Sequence, residues 1–263
     1  MIQEQFARQA TDILKDDKSV IGLAVAGSWL TNEIDEFSDL DLILVTEEKI
    51  AGDKSKMLTY ARRLGELLTG FTGEHVGEPR LLICLYDNPL LHVDIKFLTT
   101  EELHPRIENP VILFDRNGRL QKAITSSTAK FPYPDYQWIE DRFWTWIHYV
   151  LLKTGRGEYI EAFDSFSILR GLILGPLLHI KNGNLPRGVR KAESQLSPSD
   201  LEHLKSTIPA YDKKALLTSL ENVVILYHSL RKTLFPADIV LQKQTEEKVM
   251  LYFDNMKKDQ GFS

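Results

Sequence analysis

Apolar positions in the first half of the chain alternate between helical and strand periods. Ile2, Phe6, Ala10, Ile13 and Leu14 recur at helical spacing and predict an amphipathic helix over residues 2–16. Residues 21–26 form a short apolar run that reads as a buried strand, and a second strand is expected over 37–45. Residues 53–69 place Met57, Tyr60, Ala61, Leu64, Leu67 and Leu68 inward on a helix that Gly70 ends. Another apolar strand covers 80–86, with a turn at Asp87-Asn88-Pro89. Residues 91–98 alternate almost perfectly, so Val93, Ile95 and Phe97 face the core while His92, Asp94 and Lys96 share the opposite face. A last short strand is expected over 111–114, a turn at Arg116-Asn117-Gly118, and a helix over 118–129.

Phe131-Pro132-Tyr133-Pro134 breaks this pattern and marks a domain boundary. Beyond it the period is helical. Helices are expected over 135–153, 158–181, 211–234 and 245–258, with a short one N-capped at Ser197. Pro176 predicts a kink in the second, and Asn182-Gly183-Asn184 stops it ahead of a basic loop over 185–193. Trp138, Trp144 and Trp146 are expected in the core. The chain therefore reads as α+β in class, a mixed β-sheet domain over 1–130 followed by an all-α helical bundle over 135–263.

The two strands at 21–26 and 37–45 carry the candidate chemistry. Gly27-Ser28 turns the chain between them, and Ser28 is a good N-cap for a short helix through Trp29, Leu30 and Asn32. A glycine there lets a phosphate approach the backbone, where a helix start offers free N–H groups. Asp39 and Asp41 open the second strand two residues apart, which places both carboxylates on one face and Leu40, Leu42 and Leu44 on the other. Two like charges so close suit a divalent cation, and oxygen ligands shared with substrate phosphates suit Mg²⁺. A phosphate cradle beside a metal clamp is the equipment of phosphoryl or nucleotidyl transfer.

Ala26-Gly27-Ser28, then Ser38-Asp39-Leu40-Asp41-Leu42 ten residues on, resembles the signature of the polymerase-β-type nucleotidyltransferase superfamily. The helical second half makes the chain most similar to its aminoglycoside and lincosamide nucleotidyltransferases. Where many antibiotic-modifying members carry Arg-Gly, this chain has Trp29-Leu30-Thr31-Asn32. The resemblance implies a third acid on a neighbouring strand, which Asp94 matches, as a metal ligand or as the base that deprotonates the acceptor. It also implies a lysine from the first bundle helix on the triphosphate, for which Lys153 is the candidate, with Glu158 near the acceptor. The implied reaction moves a nucleoside monophosphate, AMP from ATP or another NTP, to a hydroxyl of a small antibiotic-like acceptor. It uses one or two Mg²⁺ ions, releases pyrophosphate and places the acceptor in a cleft between the domains. The resemblance leaves a homodimer open.

Composition narrows the partners. The 263 residues include 32 basic and 37 acidic side chains, a net charge of −5 that argues against a broad nucleic-acid footprint. No apolar signal core leads the chain and no run approaches membrane-spanning length, so no membrane partner and a cytoplasmic location are expected. The single cysteine, Cys84, agrees with that compartment. Three alternatives accompany the small-acceptor transferase. One is a protein adenylyltransferase using the same acids, and another is a nucleotide-binding regulatory protein on the same fold. The third is a ribonuclease-type bundle built on Arg142 and His148, although six residues place those two on different sides of a regular helix.

Overall fold

Branched and apolar residues extend the chain where they can be buried on both faces of a sheet, and β1 (Val20–Val25), which follows helix α1 (Ile2–Leu14), is buried at every position. In the computed structural model, which describes residues 1–258, the chain divides into two units, Met1–Phe131 and Pro132–Ser263.

The first unit continues with β2 (Leu40–Thr46), α2 (Lys54–Leu64), β3 (Glu66–Gly73), β4 (Glu78–Asp87), β5 (Leu91–Leu98), β6 (Val111–Asp115) and α3 (Arg119–Thr125). Its six strands form one mixed sheet in the order β3-β4-β5-β2-β1-β6. Among the described residues only β2 and β5 pair in parallel. One face packs Leu23, Val25, Leu42, Leu44, Val93, Ile95 and Phe97 against Ala7, Ala10 and Leu14 of α1 and Met57, Ala61 and Leu64 of α2. The other face is covered at one end by α3, through Ile21, Ala24, Val45, Leu98, Leu120 and Ala123. Gly22 allows that approach, because a methyl there would strike the Phe114 carbonyl and the Leu120 side chain.

The strand over 91–98 forms residue for residue as its alternation predicts, with Val93, Ile95 and Phe97 fully buried. The helix expected over 53–69 ends instead at Leu64. Gly65 is extended, and Leu67 and Leu68 belong to β3, whose ladder with β4 supplies backbone hydrogen bonds that outweigh a continued helix. The second strand is also shorter than expected. It starts at Leu40, and Phe37 is exposed in the loop before it.

In the second unit, α4 (Tyr136–Arg156) is N-capped by Asp135, whose carboxylate accepts from Gln137 and Trp138, and it ends at Gly157 in the left-handed region. There follow α5 (Tyr159–Leu169), a π-helical turn (Arg170–Leu174) and α6 (Gly175–Lys181). The kink expected at Pro176 takes this form. A proline lacks the N–H for an α-helical bond, and the Gly175 N–H reaches back to Arg170 in π register. The continuous stretch Tyr159–Lys181 does reach membrane-spanning length and apolarity, contrary to expectation, with half of its most apolar window buried. Phe166, Ile173, Leu174, Leu177 and Leu178 go into the core instead of facing outward. After α7 (Ala192–Gln195), α8 (Pro198–Lys205) is N-capped by Ser197, and α9 (Lys213–Leu234) and α10 (Lys243–Lys258) complete the bundle.

The bundle core is centred on Phe143 stacked on Tyr227 at 3.6 Å. A fully buried carboxylate, Glu140, accepts from the Tyr227 hydroxyl at 2.5 Å, from Arg231 at 3.2 Å and from the Gln242 amide at 3.0 Å. Burying a carboxylate is costly unless its oxygens find such partners. Of the three tryptophans, Trp144 is buried in the core, whereas Trp138 is exposed and stacks edge-on against Trp146.

Candidate active site

Asp41 and Asp94 are Cα partners in the parallel β2–β5 ladder, so both carboxylates rise from the same edge of the sheet face. Strand spacing sets their backbones about 4.8 Å apart. They lie beyond the end that α3 covers, where Leu40, Leu42, Val93 and Ile95 alternate with them and point into the core.

Asp39 sits in the loop one residue before β2, not on the strand as expected. What holds it is the fully buried amide of Gln3 on α1, which donates to the carbonyls of Asp35 at 3.0 Å and Ser38 at 2.7 Å. An Asx-type turn reinforces the loop. The Asp35 carboxylate accepts from the Phe37 amide and from the Ser38 hydroxyl, at 3.0 and 2.9 Å. Asp39 is close enough to Asp94 for its charge to act there. A pocket of about 350 Å³ opens beside it, lined by Glu36, Phe37, Ser38, Leu91 and His92 among others.

Burial is the main influence on Asp94 and pushes its carboxyl above the ordinary range. The negative charge of Asp39 adds in the same direction, and His92 opposes both. His92 Nε2 lies 2.9 Å from Asp94 Oδ1, so this histidine belongs to the site although no motif pointed to it. Lys96, the natural partner for Asp94 by spacing, instead pairs with Glu78 at 2.7 Å.

Gly27 has φ +63, and a methyl built on it would overlap the Asp41 carboxylate. Only glycine combines that conformation with that closeness. Gly27 and Ser28 fall within a five-residue 3₁₀ turn (Gly27–Thr31). Ser28 therefore does not cap a helix as expected, and a turn this short has little dipole to offer an anion. Its first amide is engaged: Gly27 N–H donates to Glu108 Oε1 at 3.0 Å.

Among solved structures, an aminoglycoside 6-adenyltransferase from Bacillus subtilis aligns at 16% identity and a TM-score of 0.39, over 96% of this chain and 97% of its own. A nucleotidyltransferase-like protein from Exiguobacterium sibiricum 255-15 aligns at 12% identity and a TM-score of 0.32, over 98% of this chain and 91% of its own. Both likenesses concern fold only. No family model and no curated protein sequence matches the chain.

Among the described residues, no three His, Cys, Asp or Glu side chains stand close enough together to hold a metal ion as they lie. The donor set is nonetheless of the right kind. Asp39, Asp41 and Asp94 offer oxygen alone, which suits a hard divalent cation, and two of them share one ladder position. The Asp41 carboxylate lies against Gly27 and that of Asp94 is drawn to His92.

Lys153 lies in the last turn of α4. Its ammonium pairs with Glu158 at 2.7 Å and Glu161 at 2.9 Å, and these two carboxylates, Glu158 foremost, hold its pKa above the ordinary lysine value. Arg142 and His148 take separate partners. Arg142 covers the Trp138 ring and donates to the Trp138 carbonyl, and His148 packs edge-on against Tyr252.

Two residues the sequence analysis passed over, Gln3 and Glu108, hold the site loops. Gln3 was detectable in principle. It shares a 4-3-4 spacing with Ala7, Ala10 and Leu14, the buried stripe of α1, and a polar residue on such a stripe needs a partner. Glu108 comes from a loop with no pattern of its own.

Proposed function

We propose that the first unit is a Mg²⁺-dependent nucleotidyltransferase that moves a nucleoside monophosphate, AMP from ATP, to a hydroxyl of a small acceptor. The observation that carries this reading is the pairing of Asp41 with Asp94, beside Asp39 and against Gly27. Two separate stretches of the chain, residues 27–41 and Asp94, come side by side there, which a solvated acidic edge would not need.

Asp39 and Asp41 would hold the metal, their carboxylates drawn together from where they lie. A divalent ion held there would offset the charge of these carboxylates and of the phosphates. The Gly27 amide would donate to a phosphate oxygen and fix the triphosphate. The acceptor oxygen attacks the α phosphorus, and the bond from that phosphorus to the bridging oxygen breaks. Pyrophosphate leaves with that electron pair. Asp94 would take the acceptor's proton from its place beside Asp41 on the neighbouring strand. The pocket beside Asp39 matches an acceptor of modest size.

The test is incubation with ATP labelled at the α phosphate, Mg²⁺ and a panel of hydroxyl-bearing small molecules that includes aminoglycosides and lincosamides. Label on a small product with equimolar pyrophosphate is the expected result. Label found only on protein would replace the small acceptor with a protein one, and no pyrophosphate under any condition would overturn the transferase reading.

A further inference from the structure

Glu108 belongs to none of the acids read from the sequence, yet its carboxylate is hydrogen-bonded to the Gly27 amide at 3.0 Å, across 81 residues of chain. That amide adjoins Asp41, at a glycine where a methyl would collide with the Asp41 carboxylate. The loop that delivers Glu108 is braced. The Arg106 guanidinium donates to Asn109 Oδ1 at 2.8 Å within the loop. It also donates to the Ile124 carbonyl, the Ser127 hydroxyl and the Ser127 carbonyl at the end of α3, at 2.7, 2.6 and 2.8 Å. The Lys130 amide closes back on the Arg106 carbonyl at 2.9 Å, and Pro110 is buried. Glu108 is therefore presented to Gly27 from a fixed base.

A carboxylate oxygen and a phosphate oxygen ask the same thing of an N–H group, an anionic acceptor at hydrogen-bond distance. One amide cannot serve both fully, and a carboxylate left beside a triphosphate repels it. We propose that Glu108 is a built-in competitor for the nucleotide. Its carboxylate closes the Gly27 amide in the nucleotide-free protein, and a triphosphate must displace it to bind. The competition sets nucleotide affinity below what the cradle alone would give, and release of Glu108 couples the loop carrying Arg106 to occupancy of the site. This inference rests on the reading of Gly27 as a phosphate contact.

The experiment is calorimetric titration of the full chain with ATP in excess Mg²⁺, and separately with inorganic tripolyphosphate, comparing wild type with Glu108→Gln and Glu108→Ala. Both variants are expected to bind both ligands about tenfold more tightly, the scale of one charged hydrogen bond exchanged. The tripolyphosphate arm isolates the phosphate, since it carries no base or ribose. Glu108→Gln keeps the side chain's size, so it carries the test should Glu108→Ala lose its fold by circular dichroism. Wild-type binding with variant affinities unchanged within about twofold, or weaker, overturns this inference alone. If none of the three proteins binds ATP, the transferase reading falls and this inference with it.

Discussion

Asp41 and Asp94 stand side by side across the one parallel junction among the described residues of the sheet. Every other neighbouring pair of strands is antiparallel. A parallel pair starts at one edge, so acids near the beginning of two strands far apart in sequence meet there without a shared turn. The burial of Asp94, the like charge of Asp39 acting on it and the closeness of Gly27 to Asp41 crowd this edge in a way that stability alone does not call for.

Gly27 gives the sharpest local prediction. Gly27→Ala imposes a left-handed conformation on a residue with a Cβ, which costs about 1–2 kcal/mol, and it pushes the Asp41 carboxylate aside as well. Gly77 has φ +75 with nothing within 4 Å, so Gly77→Ala carries only the backbone penalty, about 1 kcal/mol. Urea denaturation should show both losses, and pyrophosphate release should fail only in Gly27→Ala. Equal activity in the two variants would contradict the role given to Gly27.

Gln3 acts on Asp39 from a distance. Gln3→Leu takes the donor from the Asp35 and Ser38 carbonyls, a loss of about 0.5–1.5 kcal/mol for each hydrogen bond, and loosens the loop that carries Asp39. Gln9→Ala, on the same helix, breaks only its hydrogen bond to the Leu64 carbonyl. Thermal melting should register both variants. A drop in turnover is expected in Gln3→Leu alone, and unchanged turnover there would show that the loop does not need this anchor.

Much of this architecture could be read from residue patterns, for reasons visible in particular elements. The alternation through 91–98 announced β5 because one face is buried and the other is not. β3 escaped notice because Leu67 and Leu68 continue the helical spacing of Met57, Ala61 and Leu64. Only the ladder with β4, a tertiary contact, separates the two elements. In the candidate site, the Gly-Ser and Asp-Leu-Asp spacing pointed to one place, while the hold of Gln3 on the Ser38 loop and of Glu108 on Gly27 spans 35 and 81 residues. Such links leave no local period to read.

Acid should weaken the sheet edge through Glu78. Hydrogen bonds from Arg80, and then from Lys96, hold its carboxyl at a pKa of about 2, well below the ordinary 4.5, against the opposing effect of burial. A lowered folded-state pKa contributes stability that is complete above the unfolded value and is lost as pH falls through the folded one. Glu78→Gln should therefore cost on the order of 1–2 kcal/mol at neutral pH, with the difference from wild type closing as pH drops from about 5 to about 2. Denaturant midpoints measured across that range check this, and a gap that stays constant with pH would contradict it.

The acids' partnership with a metal and a nucleotide is tested most directly by calorimetric titration of ATP into wild type and Asp41→Asn, each with Mg²⁺ and with EDTA. Wild type should bind ATP at least about tenfold more tightly with Mg²⁺ than without, and Asp41→Asn should lose most of that difference while keeping its fold. The same Mg²⁺ dependence in both proteins, or none in wild type, would contradict the assignment.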